Sequence, residues 1–589
     1  MKEHYEFIIV GAGPSGLQMA YQMEKDKRDY LVVDAADRAG SFFRTQPRHR
    51  TLISINKRFN PFPEFEYNMR HDWNSLLCDD PTLLFKYYSK ELFPPADALV
   101  RYLEDFVTRY ELNISFNTRI LNIDREPNNG KFKLTAKDGR VFTCKVLIIG
   151  TGALGDKLPT DIKGVELCDT YSQHNIDQEA YAGKLVCILG RGNSAFEVAD
   201  HLAGHAALIH IFGEKKIKYA WDTHFVGDLR AVNNNVLDMY QLKSLHAYQA
   251  FKIKSVSKAE NGKLAVEIED LVAHWNPPGR IRLTAYYDNV IICTGFRYVD
   301  LSLYADKIKP DTVKHGKFPA LTTEWETSVP DMYFIGTPMQ SIDRQAASGF
   351  IHGFRYNVRT LYHLLQEKYN KVPYPRIQVD HDLTSMANAI IERVSTAASI
   401  YQMNNFLCDI LVVPDDKKSK AEYLNDLPKQ QVIDSDRLKK EKHVFLVVLQ
   451  YGFSRFGDIG NHPNDFVHIP DFERPYCGPF LHPTVYYYQY GKLVDEADLL
   501  ESLLLRFDGA EFKEDNPHKQ RNRVKNILNK HLKLSEETFN EQFIASPEVF
   551  KSIFTPLSPE ETKLLGDGSE YDGHCKPMTI DMMGMMKEM

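Results

Sequence analysis

Two short glycine patterns carry the most legible chemistry in this chain. Gly11-Ala-Gly13-Pro14-Ser15-Gly16 and Gly190-Arg-Gly192-Asn193-Ser194-Ala195 lie about 180 residues apart. Each has the residue types that let a backbone cradle a pyrophosphate. The first glycine allows the tight turn, the second lets the phosphate approach, and a small third residue lets helix pack on strand. A helix starting there offers free N–H groups and a positive dipole end to an anion. Asp34, 23 residues after Gly11 and followed by Ala35, is placed to accept hydrogen bonds from a ribose. The same count from Gly190 reaches Gly213. A small residue there leaves room for a 2′-phosphate, which Lys215, Lys216 and Lys218 would neutralise, while Glu214 argues for an unphosphorylated ribose.

Such turns need strands before them and helices after them, and the sequence supplies both. Phe7-Ile-Ile-Val10 and Leu185-Val-Cys-Ile-Leu189 are the continuous apolar runs of parallel strands buried on both faces. Cys144–Gly152 and Asp288–Phe296 are apolar strands ending in Thr-Gly, at Thr151-Gly152 and Thr294-Gly295, where the chain is expected to cross between domains. Asp331–Gln340, containing Gly336, reads as a last strand. Ala347–Leu361, containing Gly349 and Phe350, reads as a helix whose N-terminus faces a cofactor. The expected fold class is α/β, with two Rossmann-like dinucleotide-binding domains, the second inserted in the first, plus an α+β C-terminal region. The first domain is expected over 1–160 and 288–378, the second over 161–287, and the C-terminal region over 379–589. Trp275–Arg280 is a turn within the insert, and Lys371–Arg376 marks the later boundary. Beyond it we expect helices near 383–400, 494–507 and 518–533, and strands at "HVFLVVLQYG" and "HPTVYYYQYG". A cap over the substrate site and a homodimer surface would each account for this region.

Two facing nucleotides are the layout of a flavoprotein with FAD in the first fold and a nicotinamide in the second. NADPH is favoured over NADH. A chain of 589 residues with 72 Lys and Arg against 79 Asp and Glu carries a net charge of -7 and no long-range attraction for nucleic acid or anionic membrane. The expected partner is a small molecule. None of the eight cysteines forms a Cys-x-x-Cys pair, so no redox dithiol or zinc knuckle is signalled and no metal site is expected. No signal-peptide layout, membrane-spanning run or retention tail is read, and the expected compartment is cytoplasmic.

These motifs together resemble the flavin-containing monooxygenases and their relatives. Gly40, Ser41, Phe42 and Phe43 in "GSFFR", ending at Arg44, resemble the family's Gly-Gly-x-Trp element. "YAGKLVCILGRGNSA" is very like its run into the nucleotide turn, and Lys218–Trp221 looks like its Arg-Gly-Ala-Trp. "PRHRTLISINKRF", "RHDWNSLL", "THFVGDLRAVNN", "GFIHGFRYNVR" and "FLHPTVYYY" extend the likeness to about residue 490. The family's Phe-x-Gly-x-x-x-His linker has no clean match; "CDTYSQH" offers His174 alone. The resemblance implies an FAD- and NADPH-dependent monooxygenase that uses dioxygen, through a C4a-hydroperoxyflavin, to oxygenate a nucleophilic nitrogen or sulfur of a small molecule. It implies that Asn56 touches flavin and substrate. His224, Asp228, Arg230, Asn233 and Asn234 either gate the site, bind substrate or form a domain interface. The basic run Arg44–Arg58 is read as a cofactor-facing or solvated patch, since no aromatic interleaving makes it a nucleic-acid platform. A pyridine-nucleotide disulfide reductase and a flavin-bearing interaction protein are the rival readings.

Overall fold

The computed structural model describes residues 3–128, 130–220, 228–241, 245–270, 282–451, 481–500, 502, 504–508 and 519–541. The first strand, β1 (His4–Val10), shows why an unbroken apolar run is needed. Ile8 and Val10 face one core and Phe7 and Ile9 the other, and all four are buried. Parallel neighbours flank it in register, Tyr30–Val33 on one side and Val141–Ile149 on the other, with Phe7 opposite both Tyr30 and Val146. Ile114–Ser115 extends one edge, and Met332–Phe334 pairs parallel with Leu147–Ile149 beyond the other. Ile120–Arg125 and Phe132–Ala136 add an antiparallel wing to this seven-stranded sheet. Helix α1 (Pro14–Lys25) follows β1 after the first glycine turn.

The second sheet is parallel throughout. Its centre is β2 (Leu185–Leu189), which leads through the second glycine turn into α2 (Asn193–Leu202). Leu208–Phe212 and Ala247–Gln249 lie on one side, Asn289–Ile292 and Asp169–Thr170 on the other. Because Asn289–Ile292 pairs with β2, this sheet takes in residues beyond 287. The chain crosses between sheets at a small antiparallel pair, Gly155–Asp156 with Phe296–Arg297.

Helix α3 (Ile351–Leu365) joins the first unit to the C-terminal one. A six-stranded sheet, ordered Ile377–Val379, Ala421–Pro428, Leu407–Val413, His443–Tyr451, Leu481–Gln489 and Lys492–Asp498, buries its four central strands on both faces. Cys408, Ile410, Leu446 and Val448 share a core with Val358 and Leu361 of α3. Leu411, Val413, Phe445 and Val447 pack with residues of α4 (Leu383–Thr396) and α5 (Lys519–Leu532). The first face is therefore continuous with the core of the first unit. Arg393 and Arg359 reinforce that join by meeting Asp426 at 2.8 Å each, and Arg393 also grips Asp409 at 2.7 Å.

One expected helix is absent from its place. Lys492–Asp498 is a strand paired with Leu481–Gln489, because Tyr490 and Gly491 both take positive φ and close a tight hairpin. Leu493 and Val494 stay about half exposed on this edge strand at 53% and 52%, where a helix was expected near 494–507. Among the described residues, no helix is long and apolar enough to cross a membrane.

Candidate functional site

Three helices begin at one cleft. The N-caps are Gly13 for α1, Gly192 for α2 and Phe350 for α3, and none has a side-chain hydrogen bond closing its first turn. Gly13-Pro14-Ser15, Gly192-Asn193-Ser194 and Gly349-Phe350-Ile351 all line the same space, about 1200 Å³ in volume. Ordinary ligand pockets hold about 300–1,000 Å³. Uncapped N–H groups at three convergent helix starts make an anion-binding environment that the protein itself leaves unsatisfied.

The glycines at the first turn divide into two physical kinds. A Cβ on Gly16 would stand 1.9 Å from the Gly11 carbonyl oxygen, so Gly16 is required by packing and does not line the cleft. Gly11 takes φ +113 against the Gly150 carbonyl, and Gly336 takes φ +82 where a Cβ would strike Ser15 Oγ at 2.5 Å. A Cβ on Gly13 would meet nothing within 4 Å. That open space above backbone N–H groups is what a pyrophosphate needs, so these residues fit FAD. Asp34 lines the cleft with its carboxylate fastened by the Ala12 N–H at 2.6 Å and the Ala36 N–H at 2.7 Å. Each oxygen keeps a lone pair for a ribose hydroxyl. Ala35, Ser41, Phe42, Thr151, Gly152, Thr294 and Gly295 also line it. Arg44 does not; it is held outside by Asp37 at 2.7 Å.

At the second turn, Gly190, Gly192, Asn193, Ser194, Lys215 and Lys218 line the cleft, and Lys216 does not. Lys216 contributes its carbonyl, which accepts from Arg191 Nη1 at 2.6 Å. Gly213 has no room for any side chain, since a Cβ there would lie 2.6 Å from Tyr248 Oη. Glu214 is engaged by Lys252 at 3.3 Å, which offsets the charge that would oppose a phosphate. The Asn193 side chain pins the following loop: its Nδ2 donates to the Asp228 carbonyl at 3.0 Å, and its Oδ1 accepts from the Arg230 N–H and Asn233 Nδ2. Asn233 and Arg230 thus brace the turn from behind. The Arg230 guanidinium lies over the Phe350 and Trp73 rings, 5.2 and 5.8 Å from their centroids. His224 and Trp221 lie outside the described residues.

Asn56 stands away from the cleft lining, with Nδ2 donating to the Ser89 carbonyl at 2.8 Å. Asn74, which sequence reasoning passed over, does line it and is 1% exposed. It follows Asp72 in a turn where the Asp72 carboxylate accepts the Asn74 and Ser75 N–H groups; that Asp-x-Asn-Ser pattern was the available signal. Thr337, Glu197, Lys317 and Arg344 were missed as well. Burial raises the Glu197 carboxyl above its ordinary range; it accepts from Tyr171 Oη at 2.8 Å and the His49 N–H at 3.1 Å. The six described cysteines are free, and Cys293, whose thiol is pushed well up by burial, is the single one of them lining the cleft. Among the described residues no cluster could hold a metal ion.

The family model for pyridine nucleotide-disulphide oxidoreductases matches residues 8–336, the stretch that contains both turns and both crossings. The chain belongs to that family. This oxidoreductase is 36% identical over 518 residues to the mouse (Mus musculus) FAD-dependent oxidoreductase domain-containing protein 2, covering 83% of this chain and 77% of the relative. It is therefore a member of a family of FAD-dependent oxidoreductases. The probable indole-3-pyruvate monooxygenase YUCCA8 of Arabidopsis thaliana is 28% identical over 210 residues, 34% of this chain and 45% of that protein. Among solved structures, the bacillithiol disulfide reductase Bdr (YpdA) from Staphylococcus aureus aligns with TM-score 0.47 and 18% identity over 62% of this chain and 100% of its own.

Proposed function

We propose that this protein is an FAD- and NADPH-dependent monooxygenase acting on a nucleophilic nitrogen or sulfur of a small molecule. The observation that carries the reading is the convergence of the two glycine-turn helices and α3 on one cleft, with no side chain closing any of the three N-termini. The first unit, up to the crossing at Gly155–Asp156 and again from Phe296–Arg297 to about residue 378, would hold FAD: its pyrophosphate on the N–H groups at Gly13–Ser15, its adenosine ribose on Asp34. The inserted unit would hold NADPH on Gly192–Ser194, with Arg191, Lys215 and Lys218 receiving the 2′-phosphate where Gly213 presents no acid.

When bound, the cofactors would supply the redox chemistry, the nicotinamide's two electrons reducing dioxygen by way of the flavin so that one oxygen atom would end on the substrate and the other in water. The chain's own part is placement and exclusion of water. Asn193 fixes the loop that carries Arg230, and Arg230 rests on the rings of Trp73 and Phe350 beside the α3 N-terminus. Asn74 lines the cleft with its Nδ2 already donating to the Ile55 carbonyl at 3.1 Å and the Ser54 carbonyl at 3.4 Å, so what it can offer there is its uncharged Oδ1 as an acceptor. Disulfide reduction would need paired thiols at the cleft, and among the described residues Cys293 stands there alone. The YUCCA8 relative, named as a monooxygenase, supports the same choice. The test is peroxide release. Substrate-free protein reduced by NADPH and mixed with oxygen should release hydrogen peroxide far more slowly than it accepted electrons. Immediate, stoichiometric peroxide would identify an oxidase instead.

A further inference from the structure

Beside the cofactor turns the cleft carries a second concentration of positive charge, built from three separate segments. Lys157 follows the first crossing, Lys317 sits on the hairpin formed by Thr312–Val313 and Phe318–Pro319, and Arg344 lies in the loop before α3. All three line the cleft. Among the described residues, none of the three is in an ion pair with a carboxylate. The charges acting on Lys317 are all positive: Lys157, Arg344 and Lys314. Tyr298 and Phe318 stack beneath, 4.9 Å apart and within 6° of parallel, and Lys317 Nζ lies 5.2 Å from the Phe318 centroid and 5.8 Å from that of Tyr298.

Lys157 and Lys317 are half-buried and Arg344 is exposed. Half-buried like charges without a counterion are destabilising, and chains retain them where an anion completes the site. The phosphates of two dinucleotides already have the glycine turns and, at the second, Arg191, Lys215 and Lys218. We propose that Lys157, Lys317 and Arg344, over the Tyr298–Phe318 ring pair, form a recognition site for the oxyanion of a small-molecule substrate, a carboxylate or phosphate ester. This deepens the monooxygenase reading by naming the substrate's charge. Fork-shaped Arg344 suits two oxyanion oxygens, Lys157 and Lys317 add point charge, and the Tyr298 ring, which lines the cleft, offers a face to an apolar or aromatic body. Burial and the neighbouring cations lower the Lys317 ammonium to about 8, so near that pH much of it is the reactive free amine.

The test reads Lys317 directly in the holoprotein. Acetic anhydride is applied at pH 8, and acetylation of Lys317 and of exposed Lys137 is followed by mass spectrometry in benzoate, in inorganic phosphate, or in chloride at equal ionic strength. Benzoate should slow Lys317 by about tenfold once at ten times its own Kd, by mass action, and leave Lys137 unchanged. R344Q should remove that protection while the protein keeps its flavin. Equal acetylation of Lys317 in all three salts overturns the proposal. So does loss of bound FAD in R344Q or K157Q, which would assign these cations to the cofactor. Normal bleaching by NADPH without protection sinks this site alone. Protection without bleaching upholds it and removes the monooxygenase reading.

Discussion

Replacing Gly13 by alanine separates a ligand-facing glycine from a packing glycine within one turn. Gly13 has φ -81 and ψ -179, extended backbone that alanine adopts freely, and its added Cβ meets no protein atom within 4 Å. The ligand-free fold should change little in stability, because the gain of about 0.4–1 kcal/mol through the lower entropy of the unfolded chain offsets the comparable cost of alanine at the α1 N-cap. FAD binding should suffer, because the methyl stands where the pyrophosphate must descend onto the N–H groups. Losing two charge-assisted hydrogen bonds at about 1.5–3 kcal/mol each weakens binding by about 10²–10⁴-fold, at 1.4 kcal/mol per decade. Gly16→Ala is the counterpart: its Cβ would lie 1.9 Å from the Gly11 carbonyl oxygen, so backbone must move and the unit itself is destabilised. The assay pairs the flavin-to-protein absorbance ratio after gel filtration with denaturant midpoints of the stripped proteins. Full FAD retention by G13A would refute the reasoning.

Arg191→Ala should raise KM for NADPH by about 10–10²-fold, the worth of one charge-assisted bond, with kcat and the NADH kinetics nearly unchanged; equal effects on both nucleotides would place the 2′-phosphate elsewhere. Arg393→Met should cost about 3–5 kcal/mol, because Asp409 and Asp426 would be left buried and short of their partner, and the urea midpoint should fall accordingly. Acid should destabilise the fold well above the usual carboxylate range. Burial holds His49 down to about 3, and His71 and His363 to about 4. These imidazoles stay neutral when folded and protonate near 6.5 when unfolded, so their stability is full above about 6.5 and declines as pH falls toward about 4, at about 1.4 kcal/mol per unit for each. Denaturant midpoints at pH 7, 6 and 5 check this; a flat profile would contradict it.

The parts of this molecule that were legible in sequence are those made by neighbours in the chain. Phe7–Val10 with its turn and α1, and β2 with its turn and α2, are each specified by consecutive residues, so strand, glycine spacing and helix start are read together. The cleft's other walls come from crossings that sequence does not order in space. Lys157, Lys317 and Arg344 stand on three segments that fold topology alone brings to the same place. Asn56 donates to the Ser89 carbonyl away from the cleft, whereas Asn74, tied to the Ile55 and Ser54 carbonyls, stands in its wall. At Lys492–Asp498 helical apolar spacing lost to the two-residue turn at Tyr490-Gly491, because pairing to an existing strand edge outweighs weak local propensity.

The central claim is that two nucleotides meet in this cleft, and anaerobic mixing of the purified protein with NADPH tests it most directly. The protein should be yellow, and its flavin absorbance should bleach on mixing, faster with NADPH than with NADH. A protein fully loaded with FAD that neither nicotinamide bleaches would contradict the claim.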